Sequence, residues 1–148
     1  MSFTSREFAA SPANVFAVLV DPESYPHWLI GTDRIRDVDS NWPAIGSKFH
    51  HVVGFGPLKI ADDTEVIDIE DGRMLQLKVR ARPLISAVAT FRVVGEATSC
   101  VVTLEEEPAI RSIGNLVRPL LDPTVHMRNH RSLRRLAAVV DEAQLGAD

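Results

Sequence analysis

The 148-residue chain contains one cysteine, Cys100. A lone thiol excludes an internal disulfide framework, and it suits a reducing compartment, so a cytoplasmic location is expected. Long apolar runs are missing too. None approaches the roughly 20 residues of a membrane span, so no stable membrane insertion is expected. The first residues, MSFTSREFAASPANVF, lack a basic stretch followed by an apolar core, and no signal peptide is expected. Positive charge is in deficit. The net charge of −4 gives the chain no bulk attraction to nucleic acid or anionic lipid. Repeats, low-complexity tracts and linkers are absent, which with the length points to one domain over residues 1–148. A chain of this size buries roughly 70% of its unfolded surface and needs no covalent staple. Signatures of catalysis are also missing. No GXSXG surrounds Ser11, Ser86, Ser112 or Ser132, there is no HEXXH, and no strand-to-helix turn follows GFGP at 54–57 to make a phosphate cradle.

What is present is a clear succession of elements. FTSREF, residues 3–8, reads as a short strand. Ser11-Pro12 offers an N-cap and a proline at the first helical position, with Val15, Phe16 and Leu19 as an apolar face. Asp21-Pro22 ends that helix and starts a second short one, which carries Tyr25, His27 and Trp28. Strand texture follows in DRIRDVDS, KFHHVV, LKIADDTEVIDI, RMLQLKVRA, ISAVATFRVV and SCVVTLEEE, with Pro108 closing the last. Glu70-Asp71-Gly72 is a hairpin signal. Leu75, Leu77, Val79 and Ala81 alternate onto one face of their strand, as do Ala87, Ala89, Phe91 and Val93, and Cys100, Val102, Leu104 and Glu106. Val66-Ile67-Asp68-Ile69 does not hold one parity, which predicts a bulge and leaves the faces of Asp62, Asp63 and Thr64 open. Strands in a run argue for an antiparallel meander that needs a cover. The cover is the C-terminal region, read as a shorter piece, RSIGNLVRPLL, then a long helix starting at Asp122-Pro123. A curved sheet around one long helix leaves space where the strands diverge from it.

In that last helix Leu133, Leu136, Ala137 and Val140 form an apolar stripe. Extended backwards it meets His130, Asn129 and His126. At about 100° per residue His126 falls within about 20° of Leu133 and His130 within about 60°. A stripe that turns polar marks the point where core becomes cavity.

The succession of elements, with SPANVFAVLVDPESYPHWL, the glycine before a strand in AIGSKF and the helix RNHRSLRRL, resembles the START-related, helix-grip superfamily. More closely it is similar to the polyketide cyclase/dehydratase-like and lipid-transport group, the SRPBCC proteins. The resemblance covers essentially the whole chain. It implies an α+β helix-grip fold, with a curved antiparallel sheet of about seven strands around a long C-terminal helix and two short helices between strands 1 and 2. It also implies a deep, largely apolar pocket for lipids, sterols, polyketides or other hydrophobic small molecules. Some members are cyclases, aromatases or hydrolases and many are plain binders. The family shares no catalytic motif, so no catalytic residue carries over, and no cofactor is implied.

The candidate polar lining is His126, His130 and Asn129 from the helix, with His51 and Glu106 from the sheet. Phe49, Leu75, Leu77, Val79, Ala89, Phe91, Val102, Leu104 and Trp28 are the candidate apolar lining. The histidines at i and i+4 admit three readings: cavity lining, satisfied structural groups, or acid–base or metal chemistry, the last wanting further ligands. No metal is expected. Glu106 is either a buried carboxylate, paired or suited to general acid work, or part of a solvated strand end with Glu105 and Glu107. His126, His130 and Glu106 are the catalytic candidates should the chain be an enzyme. Trp28 is core or an aromatic gate, and Phe55 in GFGP is a candidate lid. Six arginines between Arg111 and Arg135 face one acid, Asp122, and read as a solvated helix face or a partner surface. Three functions stay open: a binder of a hydrophobic or amphipathic small molecule, a cyclase/dehydratase/aromatase-type enzyme, and a protein-interaction module. Oligomeric state and ligand identity are not legible.

Overall fold

The computed structural model describes residues 2–55, 57–83, 85–109 and 114–147, with side chains described for all of these except 55, 85, 109, 114–124 and 147. Seven strands form one antiparallel sheet in the order β1-β7-β6-β5-β4-β3-β2: β1 Ser2–Phe8, β2 Thr32–Val38, β3 Lys48–Phe55, β4 Leu58–Glu70, β5 Met74–Ala81, β6 Ile85–Gly95 and β7 Cys100–Ala109. Between β1 and β2 lie α1, Pro12–Leu19, a 3-10 turn, Pro22–Ser24, and α2, Tyr25–Trp28. The long helix α3, Gly114–Ala147, follows β7. This is the α+β helix-grip fold.

The local signals act as their chemistry dictates. The Asn14 N–H donates to Ser11 Oγ at 3.2 Å and caps α1, and the Glu23 N–H donates to Asp21 Oδ1 at 3.1 Å. Gly72 takes φ +77° in the β4–β5 hairpin, a conformation cheap only for glycine. The register shifts between Val66 and Asp68, so β4 carries the bulge that its broken parity predicts. Asp62 and Thr64 thereby share the face of Val66, while Asp63 and Glu65 share the other, where both reach Arg80.

Two expectations about proline need correction. β7 runs through Pro108 to Ala109, with Pro108 opposite Ala87. β1 pairing with β7 begins at Ser2↔Glu106, so Pro108 lies beyond that partner, where a missing N–H costs no bond to β1. The C-terminal region is one 34-residue helix rather than two pieces separated at Pro119 and Pro123. Each proline removes one intrahelical donor, a local cost that a long helix can absorb. Arg111 and Ser112 lie outside the described residues.

The core explains where space is left. α3 buries Val125, Asn129, Ser132, Leu133, Leu136 and Val140. It packs chiefly over β1, and also against β7, α1 and α2. An aromatic cluster fills the space under α2, with ring centroids 4.6 Å apart for Tyr25–Trp28, 5.0 Å for Tyr25–Phe49 and for Trp42–Phe49, and 5.6 Å for Trp28–Phe91. The inward face of β5 and β6 beyond that cluster borders a gap. Among the described residues no helix is long and apolar enough to cross a membrane.

Candidate functional site: a cavity beside the long helix

A cavity of about 90 Å³ lies in that gap. Its floor is the inward side of β5, β6 and β7: Leu77, Val79 and Ala81, then Ala87, Ala89 and Phe91, then Leu104 and Glu106. Its other walls are Tyr25, the turn Leu29–Thr32, Val53 of β3 and Arg128 of α3, with Ser86 at the β6 end. The lining is apolar apart from a few groups. Tyr25 contributes its ring only, because its hydroxyl donates to the Leu19 carbonyl at 2.6 Å. Burial, reinforced by Asp21, pushes that phenol far above its ordinary range, so it stays neutral.

The charged feature of the wall is an ion pair. Arg128 Nη2 donates to both carboxylate oxygens of Glu106, at 2.5 and 2.6 Å. Glu106 is 7% exposed. A buried carboxylate without a partner costs several kcal/mol, and the guanidinium supplies that partner. The same nitrogen donates to Asn129 Oδ1 at 3.3 Å. Other donors find no acceptor among the described residues: Arg128 Nε, Asn129 Nδ2 and Ser2 Oγ are all buried without one. Ser2 stands directly across from Glu106 in the β1–β7 register; of the three residues with these donors only Arg128 is on the cavity wall.

The turn between α2 and β2 is held by glycine and serine. Gly31 takes φ +105°, and nothing lies within 4 Å of where a Cβ would sit, so backbone conformation rather than space demands glycine there. The Ile30 N–H donates to Ser132 Oγ at 3.1 Å, which ties the turn to α3 across the cavity's flank.

The structure thus brings Leu77, Val79, Ala89, Phe91, Leu104 and Glu106 together on the wall. Phe49, Leu75, Val102 and Trp28 are buried in the core and are not on it. Trp28 is tied down by its Nε1–H, which donates to Ser24 Oγ at 3.0 Å. Phe55, the candidate lid, has a side chain outside those described.

The histidines are corrected. His126 and His130 are exposed, and neither is on the wall. The stripe's centre is not Leu133. The buried residues of α3 average about 50° to one side of it, which puts His126 about 70° and His130 about 110° from the centre. That flank turns toward β1, where His126 Nδ1 lies 3.3 Å from Thr4 Oγ1. Arg128 and Ser132 occupy the opposite flank, facing the cavity. His51 is 1% exposed and structural in its contacts. Its Nε2–H donates to the Arg80 carbonyl at 2.9 Å, and its Nδ1 accepts from Thr64 Oγ1 at 3.2 Å. Burial lowers its pKa, against the pull of that carbonyl and of Asp62 and Asp63. Beside it burial acts to raise the Asp62 pKa, but hydrogen bonds from Arg82 outweigh this and hold it at about 2. His51, His126, His130 and Glu106 therefore do not converge. Among the described residues no three His, Cys, Asp or Glu stand close enough to hold a metal ion.

Arg128, Tyr25, the turn 29–32, Val53 and Ser86 are wall residues absent from the candidate lining read from the sequence. Arg128 was hidden within an arginine-rich run whose other described members, Arg131, Arg134 and Arg135, are exposed. Ala81 and Ala87 were legible, since alternation set both on the inward face.

A search of curated protein sequences returned no match. Among solved structures, the Zhui aromatase/cyclase from a Streptomyces is similar at 14% identity and TM-score 0.75, over 94% of this chain and 92% of that one. The di-domain ARO/CYC StfQ from the steffimycin biosynthetic pathway is similar at 13% identity and TM-score 0.72, over 96% of this chain and 51% of that one. The protein TTHA0849 from Thermus thermophilus is similar at 19% identity and TM-score 0.70, over 96% of this chain and 97% of that one. At such identities these likenesses support the helix-grip fold and nothing finer. The sequence of residues 3–141, however, matches the family described as polyketide cyclase / dehydrase and lipid transport, and the chain belongs to that family.

Proposed function

We propose that this chain binds a hydrophobic or amphipathic small molecule in the cavity between sheet and α3, as a binder or carrier rather than a catalyst, and that residues 1–148 act as one ligand-binding domain. The observation that carries the reading is the make-up of the wall: apolar on nearly every side, with one ion pair, Glu106–Arg128, at one end. Apolar walls supply affinity, at about 2.5 kcal/mol per 100 Å² of ligand surface buried before binding costs, and a few polar groups fix orientation. The cavity's 90 Å³ falls below the roughly 300–1,000 Å³ of sites for drug-sized ligands. A ligand of more than a few atoms therefore enters by parting the walls, and the Ile30–Ser132 bond is the tie nearest the gap.

The cyclase-type reading needs an acid or base facing the substrate. His126 and His130 lie outside the cavity, both ring nitrogens of His51 are engaged, and the Glu106 carboxylate is held by Arg128. That arrangement supports binding over turnover. The test is fluorescence titration with the neutral apolar dye N-phenyl-1-naphthylamine, for wild type and for Ala89→Leu, which fills the cavity floor. Saturable binding by wild type, lost or weakened about tenfold in the folded variant, is expected. Equal binding by both proteins would remove the cavity from the account.

A further inference from the structure

Arg128 is on the cavity wall, and at and behind it lie buried polar groups with no partner among the described residues. Arg128 Nε, Asn129 Nδ2 and Ser2 Oγ are buried with no acceptor among the described residues, and Asn129 is 0% and Ser2 5% exposed. A buried donor left unpaired is costly, so groups of this kind are normally served by water or by a ligand. The set is also chemically biased. Every nitrogen in it is a donor and cannot accept, and the neighbouring acceptors, the Glu106 carboxylate and Asn129 Oδ1, already take hydrogen bonds from Arg128 Nη2.

We propose, building on the ligand-binding reading above, that this end of the cavity receives an uncharged hydrogen-bond acceptor, the carbonyl oxygen of a ketone, ester or amide, and rejects carboxylates. Arg128 sets the first half of this selectivity and Glu106 sets the second. Arg128 alone would be a carboxylate receptor, because a guanidinium fork matches a carboxylate. Here Glu106, on β7 opposite Ala89 and Ser2, takes one arm of that fork, Nη2, and offsets the guanidinium's charge. A ligand carboxylate would meet a guanidinium already neutralised and a second anion beside it, and like charges brought together in an interface are strongly disfavoured. A carbonyl oxygen meets no such repulsion. It accepts from the Arg128 guanidinium, whose Nε has no partner among the described residues, while its carbon chain lies against Leu77, Ala89 and Leu104. Glu106 is thus a positioning and selecting residue that acts through Arg128.

The experiment compares three probes of equal chain length, octane, octan-2-one and octanoate, by chemical-shift titration of the ¹⁵N-labelled protein. Wild type is expected to bind octan-2-one about tenfold or more tightly than octanoate, and more tightly than octane. In Glu106→Gln, which keeps the shape and removes the charge, octanoate is expected to gain and the preference to shrink or invert. Octanoate binding wild type as well as octan-2-one overturns the proposal. Octane matching octan-2-one overturns it also, while leaving the apolar cavity intact as a binding site. Failure of all three to bind overturns it together with the ligand-binding reading beneath it. The wild-type comparison stands by itself should Glu106→Gln fold poorly.

Discussion

At the scale of single residues, the account rests on two buried polar centres of opposite kind. Glu106 and Arg128 form a pair at the cavity wall, with side chains 10% and 34% exposed. Arg128→Met strands the Glu106 charge and is expected to cost about 2 kcal/mol in urea unfolding, below the roughly 3–5 kcal/mol of a fully buried pair because solvent reaches the arginine. The double variant Glu106→Leu/Arg128→Met is expected to recover most of that loss. A double variant as unstable as the sum of its singles would show that the two do not act as a pair. His51 is a neutral group by construction. Its folded pKa lies below its ordinary 6.5 because burial disfavours the cation. The unfolded chain therefore takes up its proton first as pH falls. Stability from this residue is complete above about pH 6.5 and declines as pH drops toward the lower folded value. Urea midpoints measured between about pH 5 and pH 7.5 are expected to fall on the acid side in wild type and to flatten in His51→Gln. Asp62 acts in a separate, more acidic window, since its contribution is lost only as pH falls from 3.8 toward 2. These roles were partly legible. Glu106 on an apolar strand face admitted a buried carboxylate beside a solvated strand end, and the structure shows it buried. Its partner could not be read, because Arg128 and Arg131 look alike in sequence, and only the direction each takes around α3 separates them.

At the scale of elements, α3 and the turn before β2 define the site between them. Ser132 on α3 holds the Ile30 amide, and Gly31 holds the turn in a left-handed conformation. Gly31→Ala is expected to destabilise by about 1–2 kcal/mol through backbone strain with no clash. Ser132→Ala is expected to cost about 1 kcal/mol and to speed both entry and exit of N-phenyl-1-naphthylamine in stopped-flow fluorescence. Unchanged rates at lowered stability would show that the turn does not gate the cavity. The strands and their hairpins were readable because period-2 alternation and turn residues are local signals, as was the bulge after Val66; the pairing of β1 with β7 was not. The helix was harder. Its buried arc is set by which strand it lies against, here chiefly β1, and a centre placed on Leu133 turned two exposed histidines into cavity groups. With the centre shifted by about 50°, His126 stands about 70° to one side and Arg128 about 90° to the other, and the cavity lies on the Arg128 side. Pro119 and Pro123 misled in a second way, since a proline weakens a helix locally but a helix of this length can continue through it.

At the scale of the whole molecule, the seven-stranded sheet is covered by α3 together with the short helices before β2. α3 seals the β1 and β7 side, the aromatic cluster of Tyr25, Trp28, Trp42 and Phe49 seals the space below α2, and the cavity is what remains between them. Its walls and its single ion pair suit the retention of a small molecule whose bulk is apolar. The most direct test is the native mass spectrum of the protein as purified, taken beside that of Ala89→Leu and beside both denatured masses. The account predicts an added mass on the wild type that leaves on denaturation and is missing or reduced on the variant. Identical native spectra for the two proteins, whether both bare or both carrying the same added mass, would contradict it.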